Sequence, residues 1–173
     1  MAADAVAIVR SNLADGHWLL EQVVDGLTED QMHWTPSGTA NTIAATYAHV
    51  VASEDLFVQE TLQRRPTLEQ GDWRGRDGIS LPVPRRGADW FAWSRRVRVD
   101  LPAVRAYAAA VYAASGAYMA GLDPAALGRP PDAPVPGGQT SSWLVHNLLV
   151  QHAAVHNGEI AVLRGLQGLQ GLP

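Results

Sequence analysis

The sequence contains no cysteine, which excludes disulfides, zinc ribbons and a thiol nucleophile of its own. It contains no lysine either, so all 13 basic residues are arginine. Charged residues make up only 17% of the chain, and a net charge of −4 argues against general nucleic-acid binding, which leaves a basic footprint. Long apolar runs are missing. The Ala-rich stretch after Arg105 is broken by Tyr, Ser and Gly and is too weakly apolar to span a bilayer. Residues 1–10 carry no basic leader and do not read as a signal peptide. The expectation is a soluble cytoplasmic protein without a membrane or nucleic-acid partner. Two metal motifs are absent as well. Without His-Glu-x-x-His a zincin protease is disfavoured, and without paired Glu-x-x-His a ferritin-like di-iron site is disfavoured.

What is present is an ordinary apolar content of 47% over 173 residues, enough for one domain spanning 1–173 with a sizeable core. Val6, Val9, Leu13, His17, Leu20, Val24 and Leu27 recur at spacings of three and four, the stripe of an amphipathic helix. Thr28-Glu-Asp-Gln31 has the form of a capping box opening a short turn. Asn41 is a candidate N-cap for a second helix from about Thr42 to about Leu62. Asp100, with Pro102 in the first turn, starts a third helix that runs to about Gly121, and Asp123-Pro124 could start one further short turn. Residues 130–138 read as an extended Pro/Gly connection, after which Thr140, Ser141 and Ser142 offer the cap of a fourth helix. That helix places Val145, Leu148, Leu149, His152, His156, Ile160 and Leu163 on one face. No strand pattern emerges. The fold class predicted is all-α, a four-helix bundle with a long irregular crossover between helices 2 and 3.

The crossover, Pro66 to Asp100, is rich in Gly and Pro and holds Trp73, Trp90, Phe91 and Trp93. Between Arg64 and Arg98 nine arginines face four acidic residues, a local +5 in an acidic chain. Such a segment could cover a pocket for an anionic ligand. The plainer expectation, a surface loop anchored by its tryptophans, is favoured because loops tend to lie outside.

His152 and His156 stand four residues apart in the apolar face of the last helix, one turn from each other, within reach of a single metal ion. His49, beside the apolar line of the second helix and next to the small residues Ala45, Thr46 and Ser53, is the candidate third ligand. Three protein ligands with an open position describe a catalytic rather than a closed metal site. The alternative is three core or surface histidines that share a spacing by chance, although burying two imidazoles side by side needs a reason. His17 should face inward, as a satisfied core histidine rather than a fourth ligand. Glu159 shares a face with the pair and could orient a ligand or act as a base. His146 and His33 receive no role.

Ala48-His49-Val-Val-Ala-Ser53-Glu54, taken with His152-x-x-x-His156-x-Gly158-Glu159-Ile160, resembles the DinB-like superfamily. Looser matches at Leu27 to Gln31, Gly121 to Pro124 and Leu163 to Gly165 extend the likeness over nearly the whole chain. The resemblance implies a four-helix bundle, often a homodimer, binding a divalent metal, commonly zinc or nickel, through one histidine of the second helix and two of the fourth. By position these are His49, His152 and His156; from their own placement in the sequence, His17, Ser53 and Glu159 are the candidate supporting or pocket residues. Relatives include YfiT-type hydrolases and transferases that use low-molecular-weight thiols such as bacillithiol or mycothiol. The implied function is a metal-dependent thiol S-transferase acting on a small-molecule substrate, in which the metal lowers the pKa of a borrowed thiol. A metal-dependent hydrolase and a non-catalytic metal or small-molecule binding protein are the alternatives.

Overall fold

The structure, a computed structural model, describes residues 5–85, 89–131 and 138–172. The first helix, α1 (Ala5–Val24), buries Val6, Leu13, Leu20, Val23 and Val24, the inward stripe its spacing predicts. The capping box forms as expected. Thr28 Oγ1 accepts the Gln31 amide at 3.2 Å and Gln31 Oε1 accepts the Thr28 amide at 2.9 Å, opening α2 (Glu29–His33).

The second long helix, α3 (Ile43–Asp55), is capped by Thr42 and not by Asn41: Thr42 Oγ1 accepts the Ala45 amide at 3.1 Å. The N-cap is the residue just before the first helical one, and with α3 starting at Ile43 that is Thr42, one residue past Asn41. Nearly every residue of α3 is buried, so it is the central rod, packed between α1, α5 (Leu101–Ala120) and α7 (His152–Leu166). It continues as a π-helical segment, Leu56–Leu62, to the end the sequence predicts. The third predicted helix is α5, with Asp100 Oδ1 accepting the Ala103 amide at 3.2 Å. Asp123 caps the short 3-10 turn Pro124–Ala126. The fourth is a continuous rod in three parts: α6 (Ser141–Val145), capped by Thr140, then the π segment His146–Gln151, then α7. These four rods make the all-α bundle, and the described residues contain no strand beyond the isolated bridge Ile79–Val99. Residues 132–137, the middle of the predicted Pro/Gly connection, lie outside the described residues. No described helix is long and apolar enough to cross a membrane.

The crossover is more ordered than its composition suggests. It contains α4 (Trp90–Ser94), capped by Asp89. The buried Asp55 carboxylate at the end of α3 accepts the amides of Leu68 and Glu69 at 3.0 and 3.2 Å. Trp93 is buried and donates Nε1–H to Leu81 O at 3.3 Å, while Trp73 packs against Tyr107 of α5. Gly78 has φ +74°, and a Cβ there would stand 2.7 and 2.8 Å from Val104 N and Asp100 O, so only glycine fits where the crossover touches the start of α5. His33 gains a role here: its Nδ1 meets Glu29 O and its Nε2 accepts the Val99 amide at 3.0 Å, tying α2 to the crossover.

Four of the nine arginines are spent on holding the loop. Arg95 donates to the carbonyls of Pro36, Gly38 and Ala40 and lies over the Phe91 ring. Arg85 grips Glu60 through both terminal nitrogens, Arg74 donates to Gln70 O, and Arg76 lies over Trp73. These four arginines are therefore committed to separate partners, and the expectation of a loop anchored by its tryptophans describes this segment.

Candidate metal centre

The π segment before His152 decides where the last helix points its histidines. A π turn advances each residue roughly 18° less than an α turn, so the segment His146–Gln151 rotates the remainder of the helix by about 100°. Leu144, Val145 and Leu149 are buried before and within this segment, while Ala153, Asn157, Ile160 and Ala161 are buried after it. His152 and His156 are thereby turned from the centre of the apolar face, where straight α periodicity places them, to its half-buried flank against α3. There they meet His49.

The three imidazoles converge. His152 Nε2 lies 3.0 Å from His49 Nε2 and 3.2 Å from His156 Nε2, and the three ligand atoms all lie within 4.8 Å of one another. The outer ring nitrogens explain why. His156 Nδ1 meets Glu159 Oε2 at 2.6 Å, and a carboxylate only accepts, so the His156 proton sits on Nδ1 and its Nε2 offers a bare lone pair to the centre. His49 Nδ1 stands 3.2 Å from Ser53 Oγ, which can accept its proton in the same way. His152 can then offer one N–H at most to two lone pairs. A cation at the centre would satisfy all three nitrogens. In a tetrahedral site with bonds of about 2.05 Å the ligand nitrogens stand about 3.3 Å apart, so the two spacings from His152, 3.0 and 3.2 Å, need only a few tenths of an ångström of adjustment.

Electrostatics agree with ligand chemistry, since a metal takes the neutral imidazole. Burial, with the nearby His152 and His156, lowers the pKa of His49 to about 3. Burial and His156 lower that of His152 to about 4, against an opposing pull from Glu159. The hydrogen bond from His156 in turn holds Glu159 below its usual range. Glu159 and Ser53 thus stand where residues that orient the ligands are expected.

His17 is elsewhere. Its Nε2 bonds Glu54 Oε2 at 2.8 Å and its ring stacks on Tyr112 at 3.8 Å, while Ser115 donates to the other Glu54 oxygen at 2.6 Å. It belongs neither to the three-histidine group nor to the cavity beside it, because Glu54 holds it between α1, α3 and α5. Two neighbours of the trio escape sequence reasoning. Trp90 of α4 sets its ring edge-on to His49 at 4.5 Å, and Phe57 stands edge-on to His152 at 6.2 Å. The aromatic crowding around Trp90 is visible in the sequence, but its destination is not.

A cavity of about 290 Å³ is lined by Ser53, the residue bonded to His49, and by Leu56 among others; none of the three histidines lines it. His49, Ser53 and Leu56 follow one face of α3 at spacings of four and three, so the cavity continues the surface that bears His49.

The DinB superfamily model matches residues 15–160, most of the chain, and its span holds all three histidines. A solved structure titled as the conserved protein of locus from Enterococcus faecalis has the same fold, with a TM-score of 0.79 at 18% identity, over 94% of this chain and 96% of that one. A search of the curated proteins finds no match. By the family match, over a bundle that brings its three histidines together, the chain belongs to the DinB superfamily.

Proposed function

We propose that this protein binds one divalent metal, zinc or nickel, through His49, His152 and His156 and uses it as a transferase acting with a low-molecular-weight thiol. The observation that carries the reading is the convergence of three imidazoles, two of whose outer nitrogens are already engaged by Ser53 and Glu159. Three protein ligands leave a position free for a ligand from solution. When bound there, the ion would supply Lewis acidity that lowers the pKa of an incoming thiol. The chain has no cysteine, so that thiol comes from outside. Trp90 and Phe57 set their rings edge-on to His49 and His152 and give the cluster aromatic neighbours. Glu159, the carboxylate bonded to the trio, is committed to His156 Nδ1, so it orients a ligand rather than standing free as a base.

The test is thiol consumption by the zinc- or nickel-loaded protein, with a panel of thiols and 1-chloro-2,4-dinitrobenzene as electrophile. Acceleration that disappears in His49→Ala supports the transferase. A loaded protein that accelerates no thiol in the panel would leave a metal-binding module in its place. The exposed apolar residues of two adjacent helices, Ile8 and Trp18 on α1 and Val155, Val162 and Leu166 on α7, support a homodimer. Sedimentation equilibrium tests that assembly.

A further inference from the structure

The cavity that Ser53 lines carries Asp55, Glu69 and Asp77 against Arg85 but none of the three histidines, so a ligand of the ion is framed by other side chains. The inner side of the trio is closed. Ala48, Val50, Ala153 and Asn157, the neighbours in sequence that turn inward from the histidines, are each 1% exposed or less. A ligand from solution therefore arrives on the outer flank, where the three histidines keep part of their exposure. Two aromatic rings border them, and both are half-buried. Trp90 reaches His49 from the crossover with ring centres 4.5 Å apart, and Phe57 reaches His152 at 6.2 Å. Glu159, the carboxylate of the group, is committed to His156. The Trp90 ring is itself anchored. Trp93 meets it edge-on at 5.6 Å, and Trp93 is buried with its Nε1–H donated to Leu81 O. Asp89 caps the short helix that carries both tryptophans, accepting the Ala92 amide at 2.8 Å.

We propose that Trp90 determines which ligand the ion takes, and that this ligand carries a flat aromatic group beside the atom that meets the ion. The inference rests on the reading of the trio as a metal site and adds the class of ligand. Bonds of about 2.05 Å put the centre of a ligating imidazole roughly 3.2 Å from its ion. With 4.5 Å between the rings of Trp90 and His49, the Trp90 centre then lies no more than about 8 Å from the ion. A group one or two atoms beyond the donor atom spans that distance. Aromatic rings pair at centre separations of about 4.5–7 Å, and the pair adds affinity beyond the area it buries. Because Trp93 and His49 already hold the Trp90 ring, little ordering is left for binding to impose. Small-molecule sites share this composition, aromatic and apolar walls around a few placed polar groups. In the thiol-transfer reading the co-substrate carries the aromatic group.

Phenylmethanethiol and 2-mercaptoethanol have thiols of similar acidity and differ in the body behind the sulfur. Each is titrated into cobalt-loaded full-length protein at pH 7 while the visible cobalt absorption is followed. Phenylmethanethiol should half-saturate at a concentration roughly tenfold below that of 2-mercaptoethanol. In Trp90→Ala the gap should shrink to about twofold, and in Trp90→Phe, which keeps a ring, most of it should return. Circular dichroism checks the fold of each variant. Should Trp90→Ala unfold, Trp90→Leu fills the space without a ring and gives the same comparison. A normal cobalt spectrum without a preference for phenylmethanethiol overturns this inference alone, and so does a preference that survives the loss of the ring. Failure to form any histidine–cobalt spectrum overturns the metal reading and the inference with it.

Discussion

Replacing Asp55 tests how the crossover is fastened to the bundle. Its carboxylate is 1% exposed; Oδ1 accepts the Leu68 amide and Oδ2 accepts both the Glu69 amide and the Tyr107 hydroxyl. Asp55→Ala strips a buried phenol and two part-buried amides of a charged acceptor. A buried donor left unpaired costs about 1–3 kcal/mol. The amides can recover some water, and the removal of a buried charge returns part of the loss. The net destabilisation should be about 3 kcal/mol, a large share of the roughly 5–15 kcal/mol that holds a domain folded. Asp55→Asn can keep its oxygen at the Oδ2 position and lose only the Leu68 bond, for about 1–1.5 kcal/mol. Urea unfolding of metal-free protein followed by circular dichroism measures both variants without a contribution from bound metal. Because Tyr107→Phe removes one of the same bonds, the two sites should couple by about 1 kcal/mol in a double-mutant cycle. A cost below about 1 kcal/mol for Asp55→Ala, or strict additivity with Tyr107→Phe, would refute the reasoning.

Glu159→Gln removes the carboxylate that fixes the His156 tautomer; metal affinity should fall about 10–100-fold in competition with a chromophoric chelator while the helical signal is unchanged. His49 and His152 titrate near 3 and 4 in the folded chain against about 6.5 when unfolded, so between these values the unfolded chain binds more protons. Metal-free protein should therefore be fully stabilised above pH 6.5 and lose roughly 2 kcal/mol or more between pH 7 and pH 5. Urea midpoints across this range should vary less with pH in a His49→Ala/His152→Ala variant. Gly78→Ala forces a Cβ into the backbone at the start of α5 at φ +74°; a loss of at least about 2 kcal/mol is expected in the same unfolding assay, and an unchanged midpoint would show that the loop moves freely.

The bundle was legible because its signals are local. Thr28 with Gln31, Asp100 with Pro102, and Asp123 each cap the element their spacing announces, and the inward stripe of α1 needs no tertiary information. Thr42 displaced Asn41 because both residues have capping side chains and only the backbone decides which reaches the third amide. The pairing of His49 with His152 and His156 was visible as helical spacing plus family pattern. Their place on a flank was not, since a π segment leaves no residue signature and α periodicity runs straight through His146–Gln151. Charge counts were the poorest guide. Nine arginines in one segment gave its net charge but not the carbonyls, rings and Glu60 that bind four of them, and the cavity came out acidic. His17 faced inward as its stripe required, but its partner Glu54 lies 37 residues away and carries no sequence signal of the contact.

The central claim is that three imidazoles hold one ion, and metal content tests it most directly. Untagged, freshly purified protein should be measured by elemental mass spectrometry beside His49→Ala. The account predicts about one divalent ion per chain in the wild type and little in the variant, with matching circular dichroism spectra. A wild type that stays metal-free after incubation with zinc and with nickel would contradict it, and would leave the trio as a hydrogen-bonded packing feature of the bundle.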